Sequence, residues 1–382
     1  MASPKTIEIV KATVPVLEEH GTAITTVFYQ NMFDEHPELL DIFNETNQKL
    51  GRQQTALAMT VLAAAKHLEN LATLLPQVTQ ISHKHRALQI LPEHYPIVGK
   101  HLLGAIKQVL GEAANDDIID AWTEAYDEIA DVFIQLEKGM YKQEMWQGFV
   151  PFTVTEKVAV ATDIAAFTVV PADTDAENTQ NIDLSKLTLT AGQYITVKTD
   201  PKDSDHTALR HYSLCSTNTD KGIQFAVRRD NRNEHHGLVS NHLHDDLEVG
   251  DTVLLSAPAG DFALNQDLVK QNEIPIVFIS AGVGVTPILS MLEAQVAANP
   301  QRPIIWVYAC QNEQHHAFDS QVNQLLESAT TLEKHVFFLN QGKYWMDDLA
   351  SELTNACRYI CLWFDAVYGK HYRWLDEIGS RS

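Results

Sequence analysis

From Ser3 to about Tyr141 the apolar positions recur every three to four residues, the period of a helix with one buried face. Ile7, Val10, Val14 and Leu17 form the first stripe. Ser3-Pro4 predicts where it starts, with a side-chain acceptor at the cap and proline at the first helical position. Ile119, Trp122, Tyr126, Ile129, Phe133 and Leu136 form the last and clearest stripe. The period predicts an all-α domain over residues 1–141.

After Trp146–Gly148 the pattern changes to short β-rich runs: Phe152–Val160, Phe167–Val170, Gln193–Val197, Tyr212–Leu214, Ile223–Arg228 and Thr252–Ser256. Glycine, aspartate and proline separate them, which predicts a small antiparallel barrel over 150–265. The polar stretch Asp173–Asp183 reads as a loop within it. From Ile274 the chain alternates: a strand Ile274–Ser280, a helix from Pro287, a strand Pro303–Ala309, a helix near Ser320–Leu326, and strands His335–Leu339 and Arg358–Phe364. Such alternation predicts an α/β domain with a parallel sheet over 270–382.

Composition narrows the partners. The formal charge of −22 is spread along the chain without a long block of one sign, so phosphate backbones and anionic headgroups are repelled. Met1–Ala12 lacks a signal-like basic start and apolar core, no apolar run reaches spanning length, and a cytoplasmic location is expected. Cys215, Cys310, Cys357 and Cys361 are too few and scattered for a disulfide framework, and no Cys-x-x-Cys-His attachment site occurs. Any haem is expected to bind without thioether bonds.

Two stretches suggest nucleotide chemistry. Gly282-Val283-Gly284-Val285-Thr286-Pro287 lies between an apolar strand and a helix. Glycines there let a pyrophosphate approach the backbone, and Thr286 with Pro287 can cap and start a helix whose amino end attracts anions. The strand before it and the helix after it favour a nucleotide site over the alternative, a plain tight turn. In the barrel, Arg210-His211-Tyr212-Ser213 follows Ala191-Gly192-Gln193-Tyr194 and precedes Gly237-Leu238-Val239-Ser240-Asn241 and Pro258-Ala259-Gly260-Asp261-Phe262. An arginine can neutralise a diphosphate, a tyrosine can stack on an isoalloxazine, and a serine can bond the ring edge. Each residue taken singly is an ordinary strand residue. Their order resembles the ferredoxin reductase family, which implies a barrel holding FAD followed by an α/β domain holding NAD(P)H.

The chain has 17 histidines, most of which need no role beyond core or surface. His85 shares a helix stripe with Ile81 and Leu88, so a metal ligand and a satisfied core residue are both open. The string Lys84-His85-Arg86-Ala87-Leu88-Gln89-Ile90-Leu91-Pro92-Glu93-His94-Tyr95 resembles the proximal haem segment of flavohaemoglobins. With the reductase motifs, the resemblance covers roughly residues 1–361. It implies a globin domain with haem b held by His85, a barrel holding FAD, and an α/β domain binding NAD(P)H.

The resemblance also assigns roles. Tyr29 and Gln53 would bond dioxygen, Phe43 and Leu57 would line the haem, and Tyr95 and Glu137 would polarise the iron ligand. Gln193, Tyr194, Arg210, His211, Tyr212, Ser213, Val239 and Ser240 would hold FAD, and Gly282 to Pro287 the nicotinamide nucleotide. The implied activity is nitric oxide dioxygenase: nitric oxide and dioxygen react at haem to give nitrate, and electrons pass from NAD(P)H through FAD. No obligate protein partner is implied. Two other classes fit the domain string: a gas sensor or store whose reductase only keeps iron ferrous, and a flavin reductase with a passive globin.

The C-terminal end departs from the family. Members carry Cys-Gly-Pro after the last strand, whereas Cys361 is followed by Leu362-Trp363-Phe364 and an aromatic, basic tail with Tyr368, Tyr372 and Trp374. A reading-frame change would look like this. Bulky residues at a turn that normally admits nicotinamide predict weak hydride transfer with normal haem loading.

Overall fold

The computed structural model describes residues 2–43, 51–173, 182–202, 204–231, 237–264, 275–329, 332–339 and 360–365, the side chains of 332–333 and 360–365 excepted. The chain divides into two compact units, Met1–Gly148 with Lys198–Leu209, and Phe149–Val197 with Arg210–Ser382.

The first unit is helical: α1 (Pro4–Ala12), α2 (Val14–Glu35), α3 (Arg52–Lys66), α4 (Leu75–Ala87), α5 (His94–Leu110) and α6 (Asp116–Tyr141), with short 3-10 turns between them. Ser3 caps α1 as expected, accepting from the Thr6 N–H. The stripe that reads as one helix from Ile7 to Leu17 is two, because Pro15 has no N–H and cannot continue the ladder, so the chain breaks at Thr13. Asn115 caps α6 by accepting from the Ile118 N–H, and Asp116 and Asp117 complement the helix dipole in its first turn. Trp122, Ala125 and Phe133 of α6 are buried, as its period predicts.

The second unit joins a barrel to an α/β layer. Strands β1 (Val150–Ala161), β2 (Ile164–Pro171), β3 (Tyr194–Thr199), β4 (Ala208–Ser213), β5 (Ile223–Arg228) and β6 (Thr252–Leu255) form one sheet in the order β4-β3-β6-β1-β2-β5. A bridge between Leu214 and Phe225, with Cys215 N–H donating to Gln224 O at 2.9 Å, joins the two edges and curls the sheet toward closure. A helix α7 (Leu238–Asp245) follows β5. The sequence reading took that segment only as a motif and missed its helix, since eight residues give little more than two turns of period.

The α/β part contains β7 (Ile276–Ala281), α8 (Val285–Ala298), β8 (Ile304–Cys310), α9 (Asp319–Ser328), β9 (Leu332–Phe338) and β10 (Ile360–Asp365), with the sheet parallel in the order β10-β7-β8-β9. Every residue of α8 from Val285 to Leu292 is buried. The reason is visible in its partners. Gly192 N–H donates to Ser290 Oγ at 3.1 Å, and Ser216 Oγ donates to Glu293 at 2.6 Å, so barrel residues cover the helix face that the sheet does not. Ile164, Cys215 and Ala226 share a core with Ile276, Phe278 and Trp306.

Two expectations change. Thr286 does not cap α8: Gly284 holds the cap position, and the Thr286 hydroxyl donates backward to Val283 O at 3.0 Å. The turn expected after Cys361 is strand instead. Leu362 pairs with Phe278 and Trp363 with Ile279, before β7 ends at Ala281, so both lie within a strand and not at a turn. The side chains of Leu362 and Trp363, and residues Tyr368, Tyr372 and Trp374, lie outside the described residues, as does most of the expected loop Asp173–Asp183.

Candidate active site

The helical unit brings three predicted residues into one cluster. His85 lies near the carboxyl end of α4, Tyr95 in the first turn of α5, and Glu137 in the last turns of α6. Between the first two the chain must reverse in a few residues. Gln89 takes a φ of 60°, Ile90 N–H donates back to His85 O at 2.9 Å, and Pro92 stops any helical continuation. Tyr141 then fastens the turn, donating to Ile90 O at 2.7 Å.

Glu137 is 2% exposed, a carboxylate that burial would penalise without partners. Its partners are present. Tyr95 donates to both of its oxygens at 2.9 Å, and His85 Nδ1 lies 2.8 Å from Oε1. A carboxylate accepts only, so Nδ1 carries the proton; the Tyr95 hydroxyl oxygen, 3.2 Å away, is a second acceptor for it. The network therefore leaves Nε2 as the imidazole nitrogen with a free lone pair. Burial, and then the charge of Glu137, push the Tyr95 phenol far above its ordinary range, which keeps it a donor.

Neighbours hold the cluster still. The Phe133 ring lies 5.6 Å from that of His85, one turn before Glu137 on the same helix. Tyr126 donates to Tyr95 O at 2.6 Å and presses on Gly99, where a Cβ would stand 2.6 Å from its ring. Phe133 and Tyr126 were read from sequence only as core. Their stripe predicted burial but nothing about what they support. An apolar cavity between α3, α4 and α6 lies beside this cluster, lined by Ala63, Ala64, Leu74, Val78, Ile81, Ile129, Val132 and Phe133.

On α2, Tyr29 is 8% exposed and burial holds its phenol well above the usual range. Its ring meets Phe43 edge-on at 5.7 Å and Phe33 at 5.8 Å. Leu57 on α3 packs into the same cluster, and Gln53, one turn earlier on that helix, is partly buried. The structure thus gathers Tyr29, Phe43 and Leu57. An imidazole with its other nitrogen fixed by a carboxylate is a ligand that fits haem iron, and an apolar cavity with buried phenols nearby fits the group around it.

The reductase residues are arranged differently. Tyr194 begins β3 beside Ala259, and its ring tilts against His211 at 4.8 Å. His211 Nδ1 is 2.8 Å from Thr196 Oγ1, a partner the sequence reading missed. Tyr212 stacks on Phe225 at 5.8 Å, and Arg210 and Ser213 flank it on β4, both partly buried. Gln193 Oε1 accepts from Thr190 N–H at 2.9 Å, closing the turn before β3.

Glycines shape the surroundings. A Cβ at Gly260 would touch the Tyr194 ring at 3.0 Å, and one at Gly192 would collide with Phe262 O at 1.9 Å. Both have positive φ, 115° and 93°, so no other residue fits without strain. At α7, Val239 is 1% exposed and Ser240 is occupied: it donates to Gly237 O and accepts from Asp230 N–H, each at 3.1 Å. Their side chains face inward, leaving the backbone of the first turn to meet a ligand. Gly282–Gly284 forms a 3-10 turn with Gly282 at φ 52°, and α8 starts directly after it without a side-chain cap. Val285 N–H is taken by Gly282 O and Pro287 has no N–H, so what suits a diphosphate here is the positive end of the α8 dipole, approached through glycine.

Comparison with known proteins agrees with this division. The globin family profile matches residues 26–133, an oxidoreductase FAD-binding domain profile 151–264, and an oxidoreductase NAD-binding domain profile 278–347. A flavohemoprotein of Oceanobacillus iheyensis is 44% identical over 88% of this chain and 81% of its own. Flavohemoprotein A of Dictyostelium discoideum is 42% identical over 94% of this chain and 91% of its own. The crystal structure of a flavohemoglobin from Malassezia yamatoensis, with bound FAD and heme, superposes with a TM-score of 0.75 at 24% identity, covering 95% of this chain and 99% of the other. In this chain no helix among the described residues is long and apolar enough to cross a membrane.

Proposed function

This chain belongs to the flavohaemoglobin family, also called flavohemoproteins, and on that footing we propose that it is an NAD(P)H-dependent nitric oxide dioxygenase. Its cofactors are haem b, FAD and NAD(P)H. When bound, haem supplies the oxygen chemistry, and FAD divides the hydride pair of NAD(P)H into the single electrons iron accepts.

The observation that carries the reading is the carboxylate and phenol on His85 Nδ1. His85 would hold the iron through Nε2. Glu137 fixes the tautomer and raises the basicity of that nitrogen, which pushes electron density toward the metal. An oxygen store gains nothing from such a push, whereas a dioxygenase does. Tyr29 stays protonated and can donate to dioxygen in the pocket; Gln53 adds an amide donor, and Phe43 and Leu57 keep the pocket apolar.

In the reductase unit, Arg210 would neutralise the FAD diphosphate together with the α7 backbone at Val239 and Ser240. Gln193, Tyr194, His211, Tyr212 and Ser213 would border the isoalloxazine. The 282–287 segment would receive the NAD(P)H diphosphate at the positive end of the α8 dipole, with Gly282 and Gly284 giving access. The domains then run 1–141, 150–265 and 270–382, and dependence on the NAD(P)H pool suits a cytoplasmic location.

Nitrate formation in aerobic solution with nitric oxide tests the reading. One NAD(P)H should disappear for every two nitric oxide molecules converted to nitrate, because each conversion uses one electron. Nitric oxide decay at the same rate with and without reduced nicotinamide would refute it. Stopped-flow reduction of the flavin by NADH isolates the reductase half, and a rate typical of the family would retire the weak hydride transfer expected from the altered C-terminal end.

A further inference from the structure

A second cluster of ligating side chains lies in the helical unit. Glu35 is the last residue of α2, His36 follows it with φ −130° and ψ 67°, and His101 sits in the second turn of α5. One ligand atom from each lies within 4.8 Å of the other two. Glu35 Oε2 is 3.7 Å from His101 Nε2. Tetrahedral zinc bound at about 2.0–2.1 Å sets its ligand atoms roughly 3.4 Å apart, so small side-chain rotations would close the set.

The geometry points to a site for a divalent transition cation of the zinc class, bound by Glu35, His36 and His101 and clipping α2 to α5. Three observations support it. His101 is 4% exposed, yet its Nε2 has no hydrogen-bond partner, so a buried polar atom faces Glu35 with its desolvation uncompensated. The His36 and His101 rings meet edge-on with centroids 5.6 Å apart, which holds both imidazoles next to Glu35. His36 Nδ1 lies 3.0 Å from Glu38 Oε1, the carboxylate–histidine arrangement that fixes the tautomer and leaves Nε2 with its lone pair available to a metal.

The Lys100 ammonium, bonded to Glu35, is the competitor. That pair is exposed, 64% at Lys100 and 55% at Glu35, and an exposed ion pair is cheaply exchanged. Two imidazoles and a carboxylate suit zinc and its neighbours rather than magnesium or calcium, which require mainly oxygen donors. Three protein ligands leave a fourth position for water. Because α2 carries Tyr29 and α5 carries Tyr95, the cation would tie together two helices that contribute to the haem site.

The test uses the full-length holoprotein, freed of adventitious metal by chelator and titrated with zinc by calorimetry. One site is expected, and zinc should raise the melting temperature followed at the haem Soret band. Glu35→Gln and His36→Ala change partly exposed residues, and each should weaken zinc binding about tenfold or more while the Soret band is unchanged. Lys100→Met should tighten binding about thirtyfold, the effect of removing one charge at roughly 4 Å from a divalent cation in water. His67→Ala, at an exposed position, should change nothing. Binding weaker than about 100 μM, or binding that Glu35→Gln and His36→Ala leave intact, would overturn the assignment; His101→Gln serves only as confirmation, since its burial makes folding part of its outcome.

Discussion

The haem side and the flavin side hold their groups by different means. In the helical unit the geometry comes from side chains: Tyr95 and Glu137, from two helices, converge on the His85 imidazole of a third, all within hydrogen-bonding distance of each other. In the reductase unit the geometry comes from backbone: glycines at positive φ, a helix without a side-chain cap, and strand residues whose neighbours leave them no choice. A side-chain site concentrates its sensitivity in a few polar atoms. A backbone site places it in residues with no functional group at all.

The largest effect should come from His85→Ala. Losing the proposed iron ligand should abolish the Soret band and reduce nitric oxide-dependent NAD(P)H oxidation to background, while the flavin absorbance stays, because the proposed FAD-side residues are more than a hundred residues from α4 in sequence. Absorbance at both bands in one purified sample checks it. Loss of flavin along with haem would break the contrast between the two regions.

The mirror experiment is Gly192→Ala. A φ of 93° and a Cβ 1.9 Å from Phe262 O combine backbone strain with overpacking, on the order of 2–4 kcal/mol together. Flavin occupancy should fall and the melting temperature of the reductase unit should drop, with the Soret band intact. A variant that retains full flavin would mean the glycine frame is not what shapes that site.

Glu137→Gln comes next. The amide still accepts from His85, so haem should remain, but the charge that strengthens the ligand is gone; activity should fall about 10–100-fold. Resonance Raman should show a lower iron–histidine stretching frequency. Lost haem with an unchanged stretching frequency in the residual holoprotein would reduce Glu137 to a structural role.

This difference also decides what the sequence could reveal. Phe133 and Glu137 stand one turn apart on a strongly periodic helix, so the period puts Phe133 on the buried stripe and allows Glu137 to point inward or to solvent, and the resemblance supplies both the choice and the chemistry. The break at Thr13 has its cause in Pro15, which the apolar stripe Ile7–Leu17 runs across without interruption. The helix at Leu238–Asp245 was too short to announce itself, and Thr286 looked like a cap because sequence cannot show that the 3-10 turn at Gly282–Gly284 already supplies the start. Thr196 carries no signal: its contact with His211 crosses from one strand to another, and only the register of β3 and β4 brings them together. Glu35, His36 and His101 were likewise lost among 17 histidines, since their proximity depends on how α2 packs on α5.

The smallest effect tests whether charge burial near the haem side has a cost that the flavin side lacks. Arg86, beside His85 in sequence, pairs with Glu144 at 3.1 Å, and their side chains are 7% and 1% exposed. Opposite charge should lower the Glu144 pKa, yet burial outweighs it and pushes the carboxyl up to about 7. Between its ordinary value of 4.5 and about 7 the folded state therefore binds more protons than the unfolded chain. By linkage, stability falls as pH rises through that window and is greatest below it, apart from other groups. Glu144→Gln keeps an acceptor for Arg86 and removes the titration. Thermal release of haem, followed at the Soret band, should lose part of its pH slope between pH 5 and 7 in this variant, by a few degrees at most, whereas release of FAD, followed by its fluorescence, should keep the same slope in both proteins. Equal flattening of the two curves would show that the pair's titration is not local to the helical unit.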